Sequence, residues 1–246
     1  MVRGFYALGS GMITQTRKLT SVGNNLSNLE TPGYKRNLVT SSTFGNMVIH
    51  RLDNQGSQPL GEMSLITAAD RTNVIHSQGS LKETGRTLDF AIQGEGFFAV
   101  QGNNGLVYTR NGSFNVDEQG YLVSADLGGR VMGQNGPILV GTDQFEADPQ
   151  GNLSVNGTPA GTLAVYNFQD YNQLQSAGQG AFTAAQGAQQ MQAPQLMWKY
   201  TEGTNVDAAQ EMTDALSIQR GLQTCSQALK MYDQILSRAV TEIAKV

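Results

Sequence analysis

The stretch ALSIQRGLQTCSQALKMYDQILSRAVTEIAKV (residues 215–246) decides the fold at the C-terminal end of this chain. Its apolar residues recur in alternating steps of three and four, the heptad spacing of a helix with one narrow apolar seam. The flanking positions are mostly Gln, Ser, Lys, Asp and Thr, so this seam has to be covered by another helix. The C-terminal seam consists of Ala215, Ile218, Leu222, Cys225, Leu229, Tyr232, Leu236, Ala239, Ile243 and Val246.

The N-terminal residues carry the same spacing and predict a helix from about residue 3 to about residue 28. Glycines within it weaken the helix, because each costs about 0.5–1 kcal/mol relative to alanine. Thr31, Pro32 and Gly33 end it, since proline moves its predecessor away from helical angles. The N-terminal seam consists of Phe5, Leu8, Met12, Leu19, Val22, Leu26 and Leu29, with only Gln15 polar in the series.

Between the seams, from about residue 74 to about residue 168, the apolar period falls to two. Short runs such as Phe97 to Val100 are separated by turn signals every eight to twelve residues, which indicates an antiparallel sandwich or a barrel-like domain. Asn111-Gly112 and Asn156-Gly157 are two-residue hairpin signals. Residues 169–195, rich in Gln and Ala, predict loops and short edge strands, and residues 196–200 predict a last strand.

We therefore predict an α+β fold, with a Gly-rich antiparallel β-domain in the middle and terminal heptad helices that pair in a coiled-coil-like domain. The expected segments are an N-terminal helix in residues 1–34, an extended linker or loop in 35–72, a β-rich outer domain in 73–200 and a C-terminal helix in 201–246. Thr204 or Asn205 is expected to cap the final helix.

Composition excludes several classes of function. The net charge of -4 offers no strongly basic surface for nucleic acid. No run of about 18 apolar residues occurs, so no membrane insertion is expected. Cys225 is the only cysteine, so no internal disulfide forms, and its place on the seam favours a packing role. The N-terminus lacks the apolar core of a secretory signal, so the protein either stays in the cytoplasm or leaves uncleaved.

Sequence patterns indicate no catalytic site. His50 and His76 are the only histidines and neither lies near a plausible nucleophile, so we predict no catalytic residue, no metal site and no cofactor. Residues 94–98 begin like a dinucleotide-binding loop but lack its third glycine and enter a strand. Acidic residues occur singly in the β-region, which leaves a glycosidase pair open without pointing to one.

The apolar seams instead predict assembly with other copies. Burying one large aliphatic side chain is worth about 1.5–3 kcal/mol, and that energy is gained only once the seam is covered. The N-terminal helix is too short to cover the whole C-terminal seam, so we expect further helices from other copies. The alternative is that both helices pack on the β-domain of their own chain.

Three blocks of sequence resemble one known family. Residues 22–35 closely resemble the N-terminal signature of bacterial flagellar rod and hook proteins, a helix that ends in Asn-Asn-Leu-(Ala/Ser)-Asn and is followed by Thr-Pro-Gly-(Phe/Tyr)-Lys. Residues 88–98, continued by 108–114 and 120–123, match a second block of that family. The third block comprises Thr204 to Asp207, Glu211-Met212 and Gln219-Arg220.

The resemblance implies a structural subunit of the flagellar rod, and not an enzyme. Proteins of that family assemble helically into the axial tube, with their terminal helices paired inside and the β-domain outside. They are exported uncleaved through the flagellar type III apparatus, which implies a location in the basal body outside the cytoplasmic membrane. The implied partners are other copies of the chain, other rod and hook proteins, the export apparatus and the ring proteins around the rod.

The resemblance also assigns a role to the signature residues, as the polar end and sharp turn of an inner helix. Other readings stay open: a hook or hook-associated protein, an enzyme acting on cell-wall glycan, or a coiled-coil adaptor that forms a closed dimer or trimer. The predicted assembly interface consists of Phe5, Leu8, Met12, Leu19, Val22, Asn24, Asn25, Leu26, Asn28, Leu29, Thr31, Pro32, Gly33, Ile218, Leu222, Cys225, Leu229, Tyr232, Leu236 and Ile243.

Overall fold

A computed structural model describes residues 2–53, 56–102, 105–184 and 187–243, and for most of residues 44–70 it describes the backbone alone. The chain forms two compact units. The first, here called the helical unit, comprises residues 1–27, 37–73 and 207–246. The second, called the β unit, comprises residues 28–36 and 74–206. This division differs from the predicted one, because residues 37–73 group with the helices and residues 28–36 group with the β-domain.

The fold is α+β, with a helix near each end and mostly antiparallel strands between them. Helix α1 spans Val2–Ser27, α2 spans Ala208–Ile243, and one turn of 3₁₀ helix spans Tyr171–Gln173. The strands are β1 (Asn37–Asp53), β2 (Gly56–Val74), β3 (Leu81–Glu83), β4 (Phe90–Ile92), β5 (Phe97–Gly102), β6 (Gly105–Thr109), β7 (Phe114–Val116), β8 (Leu122–Ser124), β9 (Arg130–Gly133), β10 (Gly136–Pro137), β11 (Glu146–Ala147), β12 (Asn152–Val155), β13 (Thr158–Thr162), β14 (Val165–Asn167), β15 (Leu174–Gly178), β16 (Ala181–Ala184), β17 (Gln189–Gln190), β18 (Leu196–Trp198) and β19 (Tyr200–Glu202).

The helical unit contains α1, α2 and a long two-stranded sheet. Strands β1 and β2 pair only with each other among the described strands. The prediction for residues 35–72 is an extended linker or loop. The chain is extended there, but it forms two paired strands and not an unpaired linker. The error has a physical reason: both strands mix polar and apolar residues without a regular alternation, so periodicity does not mark them as strands.

The β unit is organised around one ten-stranded sheet, whose main path runs β15-β16-β6-β5-β9-β8-β7. Strand β5 is central to it, and Phe97, Phe98, Ala99 and Val100 are fully buried. One apolar cluster forms around Phe98 and Phe114, and a second around Phe97 and Phe182. Because successive side chains of a strand point to opposite faces, this continuous apolar run contributes to a core on both faces of β5. The described residues of 169–195 include the 3₁₀ turn and the short strands β15, β16 and β17; β15 lies at an edge as predicted, whereas β16 pairs on both sides.

The two hairpin signals have different outcomes. Asn156-Gly157 forms the predicted turn, since Val155 pairs with Thr158 and both turn residues have positive φ, 50° and 80°. The Asn111-Gly112 prediction is wrong, because β7 pairs with β8 and not with β6. Glycine is needed at position 112 for another reason: a Cβ there would lie 1.8 Å from the carbonyl oxygen of Phe90.

Two boundaries near the C-terminus also differ from expectation. The cap of α2 is Asp207, whose Oδ1 accepts hydrogen bonds from the backbone N–H groups of Ala209 and Gln210 at 2.9 and 3.4 Å. The prediction of Thr204 or Asn205 is wrong, and Asn205 instead donates its amide to the carbonyl of Ile75. The predicted last strand is interrupted at Lys199, which has a φ of 65°, so that β18 pairs with β4 and β19 with β3.

Candidate assembly interface

Both apolar seams are only partly covered within one chain. Of the N-terminal seam in α1, Val22 is buried, the residues from Leu8 to Leu26 are otherwise half-buried, and Phe5 is 54% exposed. Seam residues of α2 are half-buried as far as Tyr232, and Leu236 is 40% exposed. The side chain of Ile243 and all of Val246 lie outside the described residues.

Further apolar side chains of α2 are exposed away from its seam. Their exposed fractions lie between 57% and 66%. They occupy several different heptad positions, so they lie on more than one side of the helix. Helix α2 therefore presents apolar surface that its own chain leaves in contact with water. These residues are Met212, Leu216, Met231, Ile235 and Val240.

Helices α1 and α2 contact each other and run antiparallel. A Cβ built on Gly4 would lie 2.6 Å from the hydroxyl oxygen of Tyr232, near the start of α1 and late in α2. Halfway along α1, a Cβ built on Gly221 would lie 3.4 Å from Nε2 of Gln15. The two helices of one chain thus supply part of each other's cover.

At the other end of the pair, Asn25 forms a buried polar network. Asn25 and Glu211 are each 1% exposed. The Asn25 amide nitrogen donates to Oε2 of Glu211 at 3.1 Å and to the carbonyl of Asn37 at 2.9 Å, and Oδ1 of Asn25 accepts from the Asn37 N–H at 2.9 Å. Ser21 also donates to the Asn37 carbonyl, at 3.0 Å. This network joins α1, α2 and the start of β1.

The turn after α1 belongs to the β unit. Oγ1 of Thr31 donates to Oδ1 of Asn28 at 3.1 Å, and the N–H of Gly33 donates to the carbonyl of Glu202 at 2.7 Å. Gly33 has a φ of 70°, and a Cβ there would lie 2.3 Å from the backbone nitrogen of Asn111. Within the β unit, these contacts give Thr31 and Gly33 a role in docking the turn.

Lys35, the second residue after this turn, carries a buried charge that the sequence patterns do not indicate. Lys35 is 2% exposed, and its Nζ donates to Oε1 of Glu202 at 2.6 Å and to the carbonyl of Ser77 at 2.7 Å. Nη1 of Arg110 donates to Oε2 of the same Glu202 at 3.1 Å. The N–H of Gly79 also donates to Oε1 of Glu202, at 2.9 Å.

The charge cluster of Lys35, Arg110 and Glu202 contains two cations and one carboxylate. Burial lowers the pKa of Lys35, and the negative charge of Glu202 acts in the opposite direction. Lys35 and Arg110 lie in blocks that carry the family resemblance, but Glu202 lies outside them. No sequence signal marks Glu202 as buried, because its partners are far away along the chain.

The β unit also contains a cleft of about 550 Å³, lined by His76, Gln78, Glu95, Arg110 and Tyr171 among others. His76 lies against the rings of Phe97, Tyr171 and Phe182. Burial, with Lys35 and Arg110 nearby, lowers the pKa of His76 to about 4, so its imidazole is neutral near pH 7. Glu95 is the sole carboxylate on the described lining, so this cleft lacks the carboxylate pair that most glycosidases need.

Three further expectations concern His50, metal binding and membrane insertion. The side chain of His50 lies outside the described residues. Within the described ranges, no group of three or more His, Cys, Asp and Glu side chains is arranged to hold a metal ion. Neither α1 nor α2, as far as the structure describes them, is long and apolar enough to cross a membrane.

Sequence comparisons find three matching family models in order along the chain. Residues 5–35 match the model described as "Flagella basal body rod protein", and residues 91–156 match "Flagellar hook protein FlgE/F/G D1 domain". Residues 199–242 match "Flagellar basal body rod FlgEFG protein C-terminal". The first match falls on α1 with its turn, the second on the β unit, and the third on the end of the β unit and most of α2.

Individual relatives match over almost the whole length. The flagellar basal-body rod protein FlgG of Bacillus subtilis is 30% identical over 98% of this chain and 98% of its own. FlgG of Agrobacterium fabrum is 30% identical over 96% of this chain and 97% of its own. The flagellar hook-basal body complex protein FlhO of Bacillus subtilis is 25% identical over the full length of both. The chain belongs to the flagellar basal-body rod protein family.

Proposed function

We propose that this chain is a structural subunit that assembles helically into the flagellar rod and transmits torque from the motor to the hook. Membership of the rod family supports a structural role in the basal body. The observation that carries the finer proposal is the uncovered apolar surface of α2. Large side chains such as Ile235 and Val240, 57% and 66% exposed, gain free energy when helices of other copies cover them.

The shape of such an assembly follows from the kind of contact. A surface that meets a different surface on the next copy makes a contact that does not close, and repeated contacts of this kind build a helical filament. In the proposed rod, the antiparallel helix pair of each copy packs against neighbouring pairs in coiled-coil fashion. Many such contacts in parallel provide the stiffness that torque transmission requires.

The proposed route and partners follow from the family. The subunit is exported through the flagellar type III apparatus without cleavage of its N-terminus. Its neighbours along the axis are other rod and hook proteins, and ring proteins surround it. The α2 seam and the exposed apolar residues of α2 form the interface with further copies. A hook or hook-associated role is the alternative within the same family.

Electron microscopy of concentrated, purified protein tests helical assembly. We expect filaments from the full chain. We also expect that Met231→Asp with Ile235→Asp, which places charge on exposed apolar positions, abolishes them. The matched control is Gln223→Asp with Gln227→Asp, which adds the same charge at exposed polar positions of α2 and leaves filaments intact. The proposal is contradicted if the Met231/Ile235 variant forms filaments as readily as the unsubstituted protein.

The cellular role is tested by replacing the chromosomal gene with each variant. We expect cells that carry the Met231/Ile235 variant to lose swimming, and isolated basal bodies from them to lack this subunit. Cells that carry the control variant should swim, and their basal bodies should contain the subunit. Normal swimming without the protein in the basal body is the result that contradicts a structural rod role.

A further inference from the structure

We infer that the Asn25–Glu211 pair, with a smaller contribution from Gly221, fixes the register in which α1 and α2 pack, and that the contact of Gly4 with Tyr232 fits the same register. All three contacts lie within the helical unit. They are spaced evenly: from Gly4 to Gln15 to Asn25 the chain advances by 11 and then 10 residues, and their partners Tyr232, Gly221 and Glu211 recede by 11 and then 10 residues. One antiparallel register therefore satisfies all three contacts at once.

Contacts of this kind are needed because the apolar seams alone do not favour one register over another. Both seams repeat every seven residues, so sliding one helix by a heptad again places apolar residues opposite apolar residues. A slide of one heptad moves the partner by about 10 Å along the axis, at 1.5 Å per residue. Apolar contact alone distinguishes such arrangements weakly, and polar or steric marks on the seam are what separate them.

The two glycines contribute less to the choice of register than the polar pair does. The hydroxyl of Tyr232 occupies the space that a side chain at position 4 would fill, and the amide of Gln15 lies over Gly221. A slide that moves α2 by one heptad in the direction of its N-terminus brings Ala239 level with Gly4 and Tyr232 level with Gly11, another glycine with open space beside it, so this contact does not oppose the slide. The same slide brings Ala228 level with Gln15, and a methyl group replaces the open face of the glycine.

The Asn25–Glu211 pair supplies the polar mark. In the same slide Ile218 comes level with Asn25, and the amide that now donates to Glu211 meets an aliphatic side chain. A buried polar group that loses its partner costs about 1–3 kcal/mol, and a buried charge costs more. The native register is therefore favoured over this shifted one, as a polar residue in a coiled-coil seam favours one register.

The register has a consequence for the end of α2. At the observed spacing, Val2 lies level with Gln234, so the residues of α2 beyond Gln234 extend past the start of α1. Ile235, Leu236 and Val240, all exposed, lie in this extension. If the chain assembles as proposed above, the register decides which apolar residues each copy offers to the next. The register itself does not depend on assembly.

Distance measurement between spin labels tests the register directly. Labels are attached at Thr16→Cys and Arg220→Cys, two exposed positions that lie level, in the full chain carrying Cys225→Ser and diluted with unlabelled protein. The reference protein should give one distance. The variant Asn25→Leu with Glu211→Leu keeps an apolar seam and removes the polar mark, so we expect a second population whose axial offset differs by about 10 Å.

Two further variants separate register from stability. Glu211→Gln retains an acceptor for Asn25, and Ile218→Val removes one methylene from the seam without touching the pair, so each should give the single native distance. Should the double leucine variant lose its helical circular dichroism, Glu211→Leu alone takes its place, because Asn25 keeps its bonds to Asn37. A folded leucine variant that shows only the native distance overturns the inference.

Discussion

At the scale of single residues, Glu202 holds two buried cations in the β unit. Its side chain is fully buried, and removal of its charge leaves Lys35 and Arg110 without a countercharge. We predict that Glu202→Gln lowers the free energy of unfolding of the β unit by about 3 kcal/mol or more. Urea unfolding followed by the fluorescence of Trp198, the only tryptophan, measures this.

The matched control for Glu202 is Glu118→Gln, the same chemical change at an exposed site in the turn between β7 and β8. Surface substitutions of this kind stay within about 0.5 kcal/mol of the parent. Equal unfolding midpoints for the two variants would show that the buried cluster contributes nothing net to stability.

His76 makes the β unit sensitive to acid. Its pKa is lowered to about 4 in the folded protein, and it returns to its ordinary value of 6.5 on unfolding. Between these values the unfolded chain binds more protons, so stability is complete above about pH 6.5 and is lost as the pH falls toward 4. Within this window, each unit of decrease in pH lowers the free energy of unfolding by at most about 1.4 kcal/mol. Because the ring is partly exposed, we expect a total loss of about 2 kcal/mol between pH 6.5 and pH 4.

The variant His76→Phe keeps an aromatic ring among Phe97, Tyr171 and Phe182 and removes the titrating group. We expect its free energy of unfolding to fall less between pH 7 and pH 4.5 than that of the parent. Urea titrations of both proteins at the two pH values, followed by Trp198, give this difference. Parallel losses in both proteins would assign the acid sensitivity to other groups.

At the scale of elements, the start of α2 depends on one carboxylate. Asp207 satisfies two of the N–H groups that have no partner within the helix, and its charge lies at the positive end of the helix dipole. We predict that Asp207→Ala costs about 1 kcal/mol, and that Asp207→Asn costs less because it still accepts the hydrogen bonds. Thermal unfolding followed at 222 nm distinguishes the two; a larger loss for Asn than for Ala contradicts this role.

Elements that depend on local chemistry are the ones the sequence predicts well. Helix α1 begins and ends within about one residue of its predicted bounds, because heptad spacing and Thr31-Pro32-Gly33 act on nearby residues. The Asn156-Gly157 turn forms for the same reason. Asn111-Gly112 fails as a hairpin because the constraint on Gly112 comes from the carbonyl of Phe90, which belongs to another strand.

At the scale of the whole molecule, the two units should unfold separately. The helical unit leaves apolar seam residues exposed, whereas the β unit has a buried core around Phe98 and Phe97. We predict that far-ultraviolet circular dichroism of the helices changes at lower urea than Trp198 fluorescence does. The first midpoint should rise with protein concentration, because association covers the seams.

The second midpoint, from Trp198, should not depend on concentration. Recording both signals on the same samples over a hundredfold range of protein concentration, about 1–100 μM, provides the comparison. Coincident midpoints at every concentration would show a single cooperative unit and contradict this prediction.

The sequence alone determined the helices, their seams, the antiparallel β-rich middle and the family, because heptad spacing, alternation and signature blocks are properties of neighbouring residues. Tertiary structure alone decided how distant residues combine. Glu202 meets Lys35 across 167 positions, Asn25 meets Glu211 across 186, and β1 pairs with β2 to form a sheet in place of a linker. Burial, register and the pKa of His76 depend on which groups the fold brings within a few ångströms of one another, and no local pattern contains that information.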